Sequence, residues 1–176
     1  MALNLFSMPA LPRTNSGAAR LFPLMTTILA ALVTIVPLQI PGYAALTPAF
    51  LLMAAYHWTI YRPDLLPPFA LFAVGTAEDL LTGGPIGVSA LMLLLVRVGV
   101  LQYRRYFVNR GFAFVWAGFT LLTWGALVAA WALHCLLAMT VLGFRATLFR
   151  IVLTVAIFPL ASFLLGRGQR ALIGAG

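Results

Sequence analysis

Gly75-Thr76-Ala77-Glu78-Asp79-Leu80-Leu81-Thr82-Gly83-Gly84-Pro85-Ile86-Gly87-Val88-Ser89 is the stretch around which the chain organises itself. The 176 residues contain three acids, and two of them, Glu78 and Asp79, stand side by side here inside an apolar run. Thr82-Gly83-Gly84-Pro85 reads as a helix stop, with glycine at the left-handed cap and proline beyond it. The acids then fall in the last turn, facing the negative end of the helix dipole. A hydrocarbon interior excludes carboxylates unless they are paired, solvated or in use. Something elsewhere in the chain has to compensate them.

Composition says what kind of interior this is. The chain is 63% hydrophobic and 8% charged, with a mean hydropathy of +1.05. A soluble domain of this length could not cover that much apolar surface. Lipid is the expected solvent, and long apolar runs without alternation predict helices rather than a barrel. The net charge is +8, and every basic residue is arginine, mostly in short loops. That pattern points to anionic lipid headgroups and away from nucleic acid. Cys135, the one cysteine, lies in an apolar run and reads as a buried small hydrophobe.

Hydropathy predicts an all-α protein with six membrane spans in a compact bundle. Residues 1–20 read as a short cytoplasmic tail and 21–170 as the membrane domain. The spans fall at about 21–40, 45–61, 65–81, 85–103, within 111–142, and 146–165. Pro41-Gly42-Tyr43 turns the chain after the first. Pro67 and Pro68 are tolerated in the first turn of the third, and Pro159 predicts a kink in the sixth. Arg13, Arg20, Arg62, Arg104, Arg105, Arg110, Arg167 and Arg170 all fall on one face, against Arg145 on the other. That asymmetry places both termini in the cytoplasm and the acids near the outer face.

Two arginines inside spans can answer the acids. Arg97 lies deeper, but helical side chains lean toward the helix N-terminus, so it leans toward Glu78 and Asp79. Arg150 matches Glu78 in depth and leans away. Both stay open as partners, as does snorkelling of Arg97 to the interface. Together Asp79, Glu78, Arg97 and Arg150 form a candidate polar assembly site, next to a motif turn of Thr82, Gly83, Pro85 and Gly87.

No catalytic set emerges. Glu78 and Asp79 point about 100° apart on one helix and cannot face each other as a dyad. His57 and His134 fall at opposite depths, so no metal cluster forms. Lysine is absent, which excludes a Walker loop, and Ser89 lacks a G-x-S-x-G setting. No cofactor is implied. In the fifth span Trp116, Trp124 and Trp131 recur at helical spacing, with Gly118, Gly125, Ala129 and Ala132 on another stripe. Small residues let membrane helices approach closely. The glycine–alanine face is expected to pack inward, and the tryptophans to face lipid or a partner.

These features resemble the MreD family of rod shape-determining membrane proteins. The resemblance rests on Tyr56-x-Trp58 with Tyr61-Arg62-Pro63, then on Gly75-x-x-x-Asp79-Leu80-Leu81-x-Gly83-x-Pro85-x-Gly87-x-x-Ala90-Leu91. A basic loop follows the fourth span, and Arg145 precedes an apolar span with Pro159. The resemblance runs from the second span to the end, and matches Asp79 better than Glu78. It implies a non-catalytic subunit of the bacterial inner-membrane elongation machinery that supports peptidoglycan synthesis. The implied partners are MreC and, in the wider complex, MreB, RodA and a class-B penicillin-binding protein. It also implies a bundle similar to the substrate-binding subunits of energy-coupling-factor transporters. That likeness keeps a small-molecule-binding transporter subunit as the competing reading.

Overall fold

A computed structural model describes residues 17–35, 47–108, 112–140 and 143–173. Among them are six α-helices: α1 Gly17–Ile35, α2 Phe50–Tyr61, α3 Pro68–Thr82, α4 Val88–Val108, α5 Phe112–Ala138 and α6 Phe144–Ile173. A short 3-10 turn, Pro63–Leu65, joins α2 to α3. The described residues contain no strand. The tail through residue 16, the Pro41-Gly42-Tyr43 turn and Arg110 lie outside the described residues.

The shortest helix is the centre. Ten of the 12 residues of α2 are buried, so it has no face left for lipid or water, and its neighbours must surround it. It packs on α1, α4 and α6 directly, while α1–α3, α3–α4, α4–α5 and α5–α6 contacts close most of a ring around it. Two aromatic residues anchor it by both their faces and their polar tips. The Tyr56 hydroxyl donates to Val115 O of α5 at 2.8 Å, and its ring meets Phe119 and Phe158 edge-on. Trp58 Nε1 donates to Thr26 Oγ1 of α1 at 2.9 Å, with Phe22 edge-on against its ring. A buried aromatic with its polar tip satisfied adds specificity to its large apolar contribution. The outer surface, by contrast, is studded with exposed Leu, Phe, Val and Met side chains.

Helix bounds depart from the hydropathy spans wherever backbone chemistry overrides apolarity. The second span was expected from 45, but α2 begins at Phe50. Pro48 disfavours helix at Thr47 before it, and Ala49 is the non-helical N-cap (φ −78°, ψ 71°); the Ala49 amide is taken by Thr154 Oγ1 of α6 at 3.1 Å. The third begins at Pro68 rather than 65, because Leu66 precedes a proline and is extended (φ −123°, ψ 81°). The fourth begins at Val88 rather than Pro85, because Gly87 has φ +96°, which a right-handed helix cannot include. The sixth is longer than expected and runs through Pro159. Proline there leaves the Val155 carbonyl without its helical donor, and Trp116 Nε1 supplies one at 3.1 Å. Two helices, α5 and α6 over Phe112–Ala138 and Phe144–Gly168, are long and apolar enough to cross a membrane by themselves.

The expectation for α5 is corrected. Its buried stripe is Val115, Phe119, Thr123 and Ala126, not the glycine–alanine stripe. Gly125, Ala129 and Ala132 are exposed, and Gly118 is half-buried. Trp116 and Trp124 are also outward, while Trp131 is half-buried and packs edge-on against Phe144. The helix is apolar all round, so periodicity could not tell its inner stripe from its outer ones. Phe119 on the buried stripe fills the space between α2, α5 and α6 against Tyr56 and Phe158.

The close approach that small residues permit occurs instead at α3–α4. A Cβ on Gly75 would stand 2.6 Å from Ala90 Cα and 2.7 Å from its nitrogen. Backbone cannot retreat as a flexible side chain can. A Cβ on Gly125 would meet nothing within 4 Å. Gly75→Ala is therefore expected to destabilise the bundle by about 1–3 kcal/mol, despite alanine's better helix propensity. Gly125→Leu is expected to leave the thermal unfolding midpoint in detergent unchanged. The reverse ranking of the two midpoints would refute this packing.

Candidate functional site

The site begins with the backbone of the α3–α4 turn. Gly83 takes the left-handed cap at φ +69°, and the Gly84 amide returns to Asp79 O at 3.1 Å. Thr82 Oγ1 folds back to donate to Glu78 O at 2.8 Å and to Asp79 O at 3.3 Å. After Pro85 the chain reverses through Gly87, and α4 begins with unsatisfied amides of its own. Asp79 reaches across the turn to them. Its Oδ2 accepts from Gly87 N at 2.7 Å, and both oxygens accept from Ser89 N at 3.2 and 3.1 Å.

The compensation that Asp79 requires is thus a helix end. The carboxylate leaves the negative end of α3 and binds the positive end of α4. Charge-assisted bonds to amides are among the stronger hydrogen bonds, and this one is buried, Asp79 being 4% exposed. The expected arginine partner for Asp79 is replaced by backbone. Amides carry no letter in a sequence, so a search for a cation passed over them.

Glu78 is also buried, at 7% exposure, and has different company. Its electrostatic neighbours are Arg150 of α6, Asp79 and the side chain of Ser89. The Arg150 Nε is shut away from solvent without a hydrogen-bond partner among the described residues. Thr154 holds the same stretch of α6: it donates to Arg150 O at 2.6 Å and accepts from Ala49 N. His134 of α5 stands over the turn, with Nδ1 at 2.7 Å from Ala130 O and Nε2 3.8 Å from where a Gly84 Cβ would lie. Sequence reasoning passed over Ser89, Thr154 and His134 as members of this cluster. The short distance in sequence from Asp79 to Ser89 across a glycine turn was the available signal for Ser89.

Arg97 does not join the acids, which corrects the grouping expected from side-chain lean. Its guanidinium donates to Leu66 O and to Pro63 O, and the carboxylate facing it is Asp64. Arg104 Nε donates to Ile60 O at 2.8 Å. The reason lies in the prolines of the α2–α3 turn. Pro67 stands four residues after Pro63 and has no N–H for the Pro63 carbonyl, while Ile60 O lies in the last turn of α2, where the helix stops before a donor is supplied. Arginine's long stem reaches the vacancies, and that pull exceeds the lean of its Cα–Cβ bond. His57 belongs to this end of the bundle, beside Tyr61, well separated in the chain from His134.

The three acids therefore sit at two turns: Asp64 in the α2–α3 turn, and Glu78 and Asp79 at the end of α3. Among the described residues no group of three or more His, Cys, Asp or Glu could hold a metal ion. Cys135 is half-buried. Arranged this way, the polar residues hold backbone in place within apolar surroundings.

The family described as "MreD: rod shape-determining protein MreD" matches the chain over residues 17–167. No curated protein and no solved structure matches it.

Double-mutant cycles in thermal unfolding separate the two carboxylates. Asp79→Ala leaves the Gly87 and Ser89 amides without their acceptor, at a cost of about 1–3 kcal/mol for each buried group. Combined with Arg97→Ala its effect should be additive to within about 0.5 kcal/mol. Glu78→Ala with Arg150→Ala should be non-additive. Coupling between Asp79 and Arg97 as large as that between Glu78 and Arg150 would contradict the geometry.

Proposed function

Because the chain belongs to the MreD family of rod shape-determining membrane proteins, we propose that it is a non-catalytic, six-span scaffold of the bacterial elongation complex. In this reading it sits in the inner membrane with both termini in the cytoplasm. It supports peptidoglycan synthesis by holding MreC, with MreB, RodA and a class-B penicillin-binding protein in the wider assembly. The observation that carries the reading is the use to which the charged residues are put. Asp79, Arg97 and Arg104 all bind backbone at turns. A scaffold needs rigid turns, and an enzyme needs converging reactive groups.

The topology has further support. Arg62, Arg97 and Arg104 gather at the α2–α3 turn, and a Cβ on Gly168 of α6 would lie 2.9 Å from Phe22 near the start of α1. The arginine-rich end of the bundle is therefore also the end where α1 begins and α6 finishes, as the positive-inside rule requires. The cluster of Glu78, Asp79 and Arg150 then lies at the outer end, and its part in this reading is to fix the α3–α4 turn for assembly.

The partner surface in this reading is the outward face of α5, where Trp124 stands beside Gly125, Ala129 and Ala132. Small residues beside an aromatic suit a single apolar helix. The test is co-purification of MreC with the tagged full-length chain from membranes. MreC is expected to be enriched over an unrelated polytopic control. Gly125→Leu, which finds open space in the bundle, is expected to lower that enrichment without lowering the unfolding midpoint. Absence of enrichment with the wild-type chain would sink the scaffold reading.

A further inference from the structure

At the arginine-rich end, a cavity of about 460 Å³ lies between the end of α2, the start of α5 and the second half of α6. His57 and Ser162 supply its polar wall, and Tyr61, Phe112 and Phe163 its aromatic one. His57 is 3% exposed. Its Nδ1 lies 3.3 Å from Ser162 Oγ. Its Nε2 is closed off from solvent and has no hydrogen-bond partner among the described residues. Whichever tautomer the Ser162 contact selects, one polar function of the ring is left unmet, and a buried unmet group is costly. None of the turn-holding interactions at either end of the bundle uses His57.

The position of the cavity restricts what can meet that need. Tyr61 is 42% exposed, Phe112 49% and Phe163 56%, all on the apolar outer surface of the bundle. The cavity therefore opens sideways, toward lipid. A cation stands at the same rim: the Arg167 guanidinium lies 5.5 Å from the centre of the Phe163 ring and is exposed. Arg167 follows Phe163 by one helical turn, and its side chain leans back so that the guanidinium lies over that ring, at the rim of the cavity. A polar wall inside, aromatic walls and a positive charge at the rim match an amphiphile with a negative head and oxygen-bearing groups just below it. An anionic phospholipid has that order: phosphate at the head, glycerol esters beneath, chains below.

We propose that this cavity is a binding site for an anionic phospholipid, its phosphate at Arg167 and its glycerol-ester region against the polar wall formed by Ser162 and His57. The occupant comes from the bilayer because the opening does. A soluble phosphate would carry the charge but would leave the His57 end of the cavity empty.

The test uses the full-length chain, delipidated in detergent, and reads lipid binding by native mass spectrometry with thermal unfolding in parallel. Phosphatidylglycerol, phosphatidylcholine and inorganic phosphate are added separately. Phosphatidylglycerol is expected to bind and raise the unfolding midpoint more than phosphatidylcholine does. His57→Phe removes the polar function, and Gly166→Phe fills the cavity from a position where an added Cβ meets nothing within 4 Å. Each should weaken phosphatidylglycerol binding roughly tenfold, the size expected for one buried hydrogen bond lost. Arg167→Ala should abolish the preference over phosphatidylcholine. If His57→Phe does not fold, Gly166→Phe decides alone. Wild-type affinity in Gly166→Phe, no headgroup preference in the wild type, or equal stabilisation by inorganic phosphate would each overturn the proposal.

Discussion

A helix that ends inside apolar surroundings leaves carbonyls or amides with no water to take them, and this structure is organised by that constraint. The central helix α2 has 12 residues, about 18 Å at 1.5 Å per residue, well short of a hydrocarbon core of roughly 30 Å. Both of its ends lie among other helices. At its start the Ala49 amide goes to Thr154. At its finish Ile60 O goes to Arg104, and the following turn to Arg97. The end of α2 and the proline turn after it leave carbonyls without helical partners, and the arginines fill them.

The same logic explains the acids at the other end. α3 stops because Gly83 turns left-handed, and α4 cannot start until Gly87 has been passed. One carboxylate, Asp79, then serves the amides of the new helix. Both turns are held by charged side chains working on backbone, and α2 is positioned by the tips of two aromatics. A protein held in this way has its geometry fixed from within, leaving its outer helix faces free to meet other molecules. Membership of a family of shape-determining membrane proteins is consistent with such a division.

Much of this was legible in sequence, and the failures share a cause. The helix stop at Thr82-Gly83-Gly84-Pro85 and the odd acids beside it could be read directly, because glycine, proline and charge are local signals. The family resemblance followed from the same motif. The partner of Asp79 was missed because backbone amides are identical at every position, so no pattern advertises them. Arg97 was misplaced because lean is a preference of the Cα–Cβ bond, and a long side chain follows its acceptors. On α5 the small-residue rule chose the wrong stripe. It states where close approach is possible, and here Gly75 uses that possibility while Gly125 does not. A helix apolar on every side gives no internal contrast by which to choose.

The unequal lengths of the helices have a consequence for the surrounding lipid. α3 has 15 residues and shows Phe69, Phe72, Leu80 and Leu81 to the outside, an apolar height of about 22 Å. α5, separated from it by α4 in the ring, has 27 residues, or about 40 Å. A flat bilayer cannot match both flanks. It must thin beside α3, or the molecule must lean toward that side. On the proposed six-span topology, the annulus is thinner beside α3 than beside α5 wherever the molecule stands upright. Any neighbour whose apolar length suits the thin flank relieves strain by settling there, so lipid deformation itself gives this bundle a front and a back.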